Sequence, residues 1–364
     1  DRWPRRQIQR GVVLRRFAIV IALILACVWI ATAYVSRPLF SARLGDLPPL
    51  PVLADRSQAL TFARKGRELL LVTDVAVDRW RAISLTAVFG QEATHDTLAF
   101  YRDVGYEALE ALEGPEATGS TDELTVPLML GDAHIAAGTN YAEHAEEVLL
   151  DDPPCLCPKL ARTTPWNAPV PWVKRLDYEA EMAAVPLSPM TDTESETAYA
   201  LILSNDFTDR LTLVRELDLG EPLGTTGFAA AKGQAGFLPI GAWLVIPRHA
   251  DFYRKLELRL YVNGRLRQRF QTRDMILSVN DIVRQAVRDR SNEYRRGAST
   301  VDLIPTTGIT PCTLILTGTA GGVIFKPMNV WRQGIYLQRG DVVRTEASYL
   351  GTLQNKVVSG HEAS

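Results

Sequence analysis

The sequence predicts an α+β chain, mostly β, with a small α/β N-terminal domain and one transmembrane helix ahead of it. Three observations carry that expectation. From Leu124 onward, short runs of strand-forming residues are separated by Gly, Pro and Asn, the punctuation of a β-rich domain. Between residues 58 and 122, two strand-like runs precede a stretch with helical apolar spacing. Residues 17–35 are nineteen in a row without a charge, about 28 Å as a helix and so long enough to cross a bilayer.

In chain order, residues 1–16 hold six arginines against Asp1 and read as a basic cytoplasmic tail by the positive-inside rule. Residues 17–35 are the spanning helix, an uncleaved anchor with the lipid bilayer as partner. The N-terminus is then cytoplasmic and the main domain extracytoplasmic, periplasmic in a bacterium. A cleavable signal ending at Ala31-Thr32-Ala33 is the rival reading. Residues 36–57 contain Pro38, Pro48, Pro49 and Pro51 and read as a semi-rigid linker. In the small domain, 58–122, strands are expected at 68–74 and 82–89 and a helix at 94–112. The main domain is 123–364. Strands are expected there at 243–246, 256–262, 313–317 and 341–347. A hairpin turn is expected at Asn263-Gly264, and an amphipathic helix at 278–290.

A net charge of −2 over 364 residues offers no basic face for nucleic acid. Four cysteines (Cys27, Cys155, Cys157, Cys312) are too few and too scattered for a disulfide framework. Cys155-Leu156-Cys157 has the wrong spacing for zinc and no second pair.

The chemistry centres on Asp177-Tyr178-Glu179-Ala180-Glu181, within a run from 173 to 185 that reads as one strand. Alternation would place Asp177, Glu179 and Glu181 on one face. Carboxylates two residues apart, roughly 6.5 Å along a strand, can converge on a hard cation. A solvated acidic face is the plainer alternative.

A longer pattern gives these acids a context. Gly138-Thr139-Asn140-Tyr141-Ala142-Glu143-His144-Ala145-Glu146-Glu147 resembles the G-x-N-Y-x-x-H-x-x-E segment of the fumarylacetoacetate hydrolase family. Asp177–Glu181, Ser204–Arg210, Lys232-Gly233, Phe237–Gly241, Val262–Gly264, Thr272–Ile276, Thr317–Thr319, Gly340–Val342 and Gly351–Asn355 follow in that family's order. The resemblance covers roughly residues 124–358 and implies a mixed β-sandwich/β-roll catalytic domain. It departs from the family at Cys157, Leu160, Asp209, Ala235, Ala242 and Ala320, which bears on substrate identity.

By that resemblance, Glu179, Glu181 and Asp206 hold Mg²⁺, or Mn²⁺ or Ca²⁺, a ligand set that suits a hard cation. Asp177 is accessory to them. His144 and Glu147 match the catalytic pair; three residues apart on a helix, they can reach each other. Lys232 matches an active-site lysine that stabilises a developing enolate. Lys159, Arg210 and Thr319 stand where substrate is bound, with Arg210 placed to orient Asp206 or a substrate acid. The expected activity is a metal-dependent, membrane-anchored hydrolase that cleaves a C–C bond in a 2-oxo or 1,3-dioxo acid. A decarboxylase or tautomerase at the same site, and a non-catalytic subunit of a membrane complex, are the alternatives. A homodimer or a membrane-complex partner is expected.

Overall fold

The computed structural model describes residues 3–76, 78–94, 96–190, 198–304 and 308–360; of residues 3–18, 92 and 94 only the backbone is described. The first element is a helix, Trp3–Val35. Among the described residues no helix is long and apolar enough to cross a membrane. This corrects the expectation of a single-pass protein with its anchor at 17–35, a cytoplasmic tail, a bilayer partner and an extracytoplasmic domain. The end of this helix docks on the main domain, where Asn329 Nδ2 donates to Ser36 Oγ at 3.2 Å.

The core is one ten-stranded sheet. Its order is Glu116–Ser120, Arg79–Ser84, Glu68–Ala76, Ala59–Lys65, Leu244–Pro247, Tyr199–Asn205, Ala180–Pro186, Ile315–Leu316, His134–Gly138, Cys155–Lys159. Ala180–Pro186 and Tyr199–Asn205 are buried at every position, so both faces of the sheet are covered there, and Glu181, Ser204 and Asn205 are polar groups inside it. Strand Ala59–Lys65 pairs with Leu244–Pro247, so residues 59–120 widen the sheet that carries the site. A five-stranded sheet packs beside it, in the order Arg265–Gln271, Glu257–Val262, Val342–Ala347, Gly351–Val358, Val170–Pro171.

Local chemistry sets the boundaries. Asn263 and Gly264 both take positive φ (50° and 72°) and turn the hairpin as expected. Ser278 caps helix Val279–Arg288 in a capping box with Asp281. The strand expected at 82–89 stops at Ser84, whose hydroxyl caps a short helix, Leu85–Phe89. The helix expected at 94–112 is split into Thr97–Val104 and Tyr106–Glu110 by Gly105 at φ +85°. The proline-rich segment after the first helix is laid onto the second sheet: Leu44 N donates to Gly264 O, Tyr349 N to Pro51 O and Arg259 to Pro48 O.

A candidate metal centre faced by a histidine and glutamate pair

The acidic run is not one continuous strand. Leu176–Asp177 and Ala180–Pro186 are separate, and the chain between them leaves the ladder. Glu179 N donates to Asn205 Oδ1 at 3.1 Å, and Asp206 N returns a bond to Glu179 O at 2.9 Å. The break turns Asp177 away from its neighbours. Asp177 accepts from the backbone of Tyr178, Ile324 and Phe325 and from Arg210 Nε at 2.9 Å. Asp177 lies outside the group formed by Glu179, Glu181 and Asp206.

Glu179, Glu181 and Asp206 are brought together. All three are buried, and one oxygen from each lies within 4.8 Å of the others. Glu181 Oε2 accepts from Gly318 N at 2.7 Å, while its Oε1 is buried with no hydrogen-bond partner. An orphaned buried carboxylate oxygen beside two further carboxylates, with no thiolate or imidazole in the set, fits a hard divalent cation. Burial pushes the Glu181 carboxyl well up, and repulsion from Asp206 and Glu179 adds to it. Burial would raise Glu179 as well, but Lys232 and Arg210 hold it at about 2.

Three buried cations surround the acids. Lys232 Nζ lies 2.6 Å from Glu179 Oε2, 2.7 Å from Asp206 Oδ2 and 3.1 Å from the Thr208 hydroxyl. Lys159 Nζ contacts Asp206 Oδ1 at 2.6 Å and donates to the carbonyls of Phe207 and Phe237. Arg210 joins Asp177 to Glu179 (2.5 Å) rather than orienting Asp206. Lys159 is fully buried, and its ammonium is occupied by Asp206 and the two carbonyls. Burial lowers the Lys159 ammonium despite Asp206 beside it.

The loop 317–322 links this cluster to Glu147. Gly318, at φ +84°, presents its N–H to Glu181; a Cβ there would sit 2.9 Å from Ala137 O. Gly322, at φ +102°, presents its N–H to both Glu147 oxygens, at 3.0 and 2.9 Å. The Thr319 hydroxyl is held inside the fold, donating to Ala180 O and accepting from Gln268 Nε2. Helix Ala142–Val148 carries His144 and Glu147. Its start is fixed by Asn140, whose amide bonds Leu277 and Thr317 across the sheet. His144 is buried and its Nδ1 has no hydrogen-bond partner. Burial would raise the Glu147 carboxyl, but interaction with His144 and Lys326 holds it below the usual range. A cavity of about 380 Å³ opens beside this helix, lined by Tyr141, Glu143, Phe270 and Ala320 among others.

The structure adds residues to which the sequence assigned no role. Thr208 shares the Lys232 ammonium, Asn205 and Gln268 shape the break and the loop, and Lys326 pairs with Glu147. None lies at a diagnostic spacing, although Lys326 is one of only seven lysines. Asp209, where the family pattern has a small residue, caps helix Arg210–Glu216. Cys155 and Cys157 are unpaired and buried, and burial pushes the Cys155 thiol up to about 12.

Comparison with known proteins agrees with this geometry. The model of the fumarylacetoacetate (FAA) hydrolase C-terminal family matches residues 133–358. The chain is 27% identical over 278 residues to a 2,4-didehydro-3-deoxy-L-rhamnonate hydrolase of Sphingomonas sp. (strain SKA58), covering 73% of this chain and 85% of that one. It is 25% identical over 241 residues to the mitochondrial oxaloacetate tautomerase Fahd2a of Rattus norvegicus, covering 64% of this chain and 68% of that one. Its fold matches the crystal structure of a probable 2-hydroxyhepta-2,4-diene-1,7-dioate isomerase from Mycobacterium abscessus. There the TM-score is 0.57 at 22% identity, covering 82% of this chain and 98% of that one. The chain belongs to the fumarylacetoacetate hydrolase family.

Proposed function

We propose that the chain is a divalent-metal-dependent hydrolase that cleaves a C–C bond in a 2-oxo or 1,3-dioxo acid of the acylpyruvate type. One observation carries this reading: the loop 317–322 holds both Glu181 of the buried carboxylate triad and Glu147, the partner of a histidine with an open nitrogen. Glu179, Glu181 and Asp206 would hold Mg²⁺, or Mn²⁺ or Ca²⁺, which would supply Lewis-acid polarisation of the substrate when bound. His144 takes a proton from water at its open Nδ1, and Glu147 orients the ring and offsets its charge. The water oxygen adds to the distal carbonyl carbon. The C–C bond then breaks, its electron pair leaving as the enolate of the 2-oxo fragment, which recovers the proton on carbon. In this reading Lys232, whose ammonium sits on Glu179 and Asp206, balances that developing charge. The cavity beside Tyr141 and Phe270 takes the acyl portion.

A second reading, decarboxylase or tautomerase, is favoured by one finding: relatives include the oxaloacetate tautomerase above and a bifunctional isomerase/decarboxylase of Salmonella dublin. Those reactions need the enolate but no attacking water. Purified protein assayed on acylpyruvates and oxaloacetate, with and without Mg²⁺, separates the two. Metal-dependent release of pyruvate from an acylpyruvate supports hydrolysis. Turnover of oxaloacetate alone moves the chain to the second reading, and no metal-dependent turnover of either overturns both.

A further inference from the structure

Glu147 has more holding it than its place on a helix requires. Its side chain is about one-eighth exposed (13%), and both oxygens are engaged by one backbone N–H, that of Gly322. Lys326 Nζ also contacts Oε2 and is as buried as its partner. A second bond, from Nζ to Val323 O at 3.1 Å, fixes the ammonium to the loop. The segment following that lysine is tied back to it: Asn329 accepts from Lys326 N and donates to Ile324 O. The Glu147 end of helix Ala142–Val148 is therefore clamped to residues 322–326. The helix itself is short, seven residues, and ends at Leu149 in the left-handed region, so it has little stiffness of its own. On the far side of the pair lies a cavity of about 280 Å³, lined by Glu147, Lys326, Tyr178 and Arg267 together with residues 35–39. Glu147 thus has a direction in which to swing if the clamp is released.

We infer that Lys326 is a positioning residue: it pins Glu147, and through it the helix that carries His144, against the carboxylate centre. This rests on the hydrolytic reading of His144 and Glu147 given above. Lys326 contacts no proposed metal ligand, so its loss should spare metal affinity while loosening the base. Outer partners that orient a reacting side chain are worth about 10–100-fold.

The test compares Lys326→Met, Lys326→Arg and His144→Ala in the full chain on an acylpyruvate, with Mg²⁺ titrated. The expectation for Lys326→Met is a kcat about 10–100-fold lower with KM and the Mg²⁺ midpoint within two-fold of wild type. Lys326→Arg, which keeps the charge, should restore most of the rate. Amide exchange across residues 142–148 should accelerate in Lys326→Met without added metal, and remain slow in Lys326→Arg. If Lys326→Met is too unstable to purify, Lys326→Gln replaces it with the same expectations. Unchanged exchange, or wild-type kcat while His144→Ala is inactive, overturns the role of Lys326 alone. If His144→Ala also keeps wild-type turnover, the hydrolytic reading falls and the role of Lys326 falls with it.

Discussion

Replacing Lys232 by methionine should leave a charge stranded in the core, and a divalent cation should rescue it. The buried cluster sets Asp177, Glu179, Glu181 and Asp206 against Lys159, Lys232 and Arg210. Burial and its acidic neighbours push the Glu181 carboxyl well up, so the cations bear chiefly on Glu179, Asp206 and Asp177. Removing Lys232 takes away the partner at 2.6 and 2.7 Å from Glu179 and Asp206. Breaking a buried pair on one side costs about 3–5 kcal/mol. At about 2.1 cal/mol/K per residue, a chain of 364 residues should then melt about 4–7 °C lower. A cation bound by the triad restores balance, and at a hundred times its Kd it contributes about 2.7 kcal/mol. The gain should be larger in the variant than in wild type, because Lys232 no longer competes for the same oxygens. Thermal melts of both proteins, with chelator and across a Mg²⁺ or Mn²⁺ series, measure this. A variant that melts with wild type in chelator refutes the charge accounting. Failure of every cation to raise its Tm refutes the assignment of the triad.

Other outcomes follow from the same geometry. His144→Ala should lower kcat by about 10²–10⁴-fold with Mg²⁺ affinity little changed, and Glu147→Gln should act in the same direction more mildly; steady-state rates over a Mg²⁺ titration check both. Glu181→Gln should fold normally, since its amide can still accept from Gly318 N, yet weaken the metal at least ten-fold, with rate recovered at high Mg²⁺; calorimetric titration decides this. Burial, reinforced by the charge of Lys159, pushes His134 down to about 4. An imidazole neutral in the fold but protonated when unfolded contributes stability above about pH 6.5 that is lost as pH falls towards 4, about 3 kcal/mol in all. The stability gap between wild type and His134→Gln should therefore be constant above that pH and narrow below it, as read by denaturant unfolding at a series of pH values.

The sequence alone supplied the candidate residues of the site and much of the β-rich fold. Asn263-Gly264 announces its hairpin because few residue pairs tolerate two positive φ angles. Ser278 announces its helix because a hydroxyl satisfies an otherwise unpaired N–H. Glu179, Glu181, Asp206, His144 and Glu147 were found through an ordered series of short segments, and tertiary structure brings the three acids into one cluster and links them to the pair. What the sequence could not settle depends on partners far along the chain. The strand expected from 173 to 185 breaks because Asn205 captures the N–H of Glu179, a contact made across 26 residues that no alternation pattern encodes. That break sends Asp177 to the backbone of Ile324 and Phe325 and frees Glu181 for the cluster. The single helix expected between 94 and 112 yields to one glycine. Hydropathy at 17–35 announces an apolar helix, whereas among the described residues no helix is long and apolar enough to cross a membrane. Lys326 was invisible because a lysine's role depends on what stands opposite its ammonium. Local propensity acts over a few residues, whereas charges buried together choose their partners only once the sheet has assembled around them.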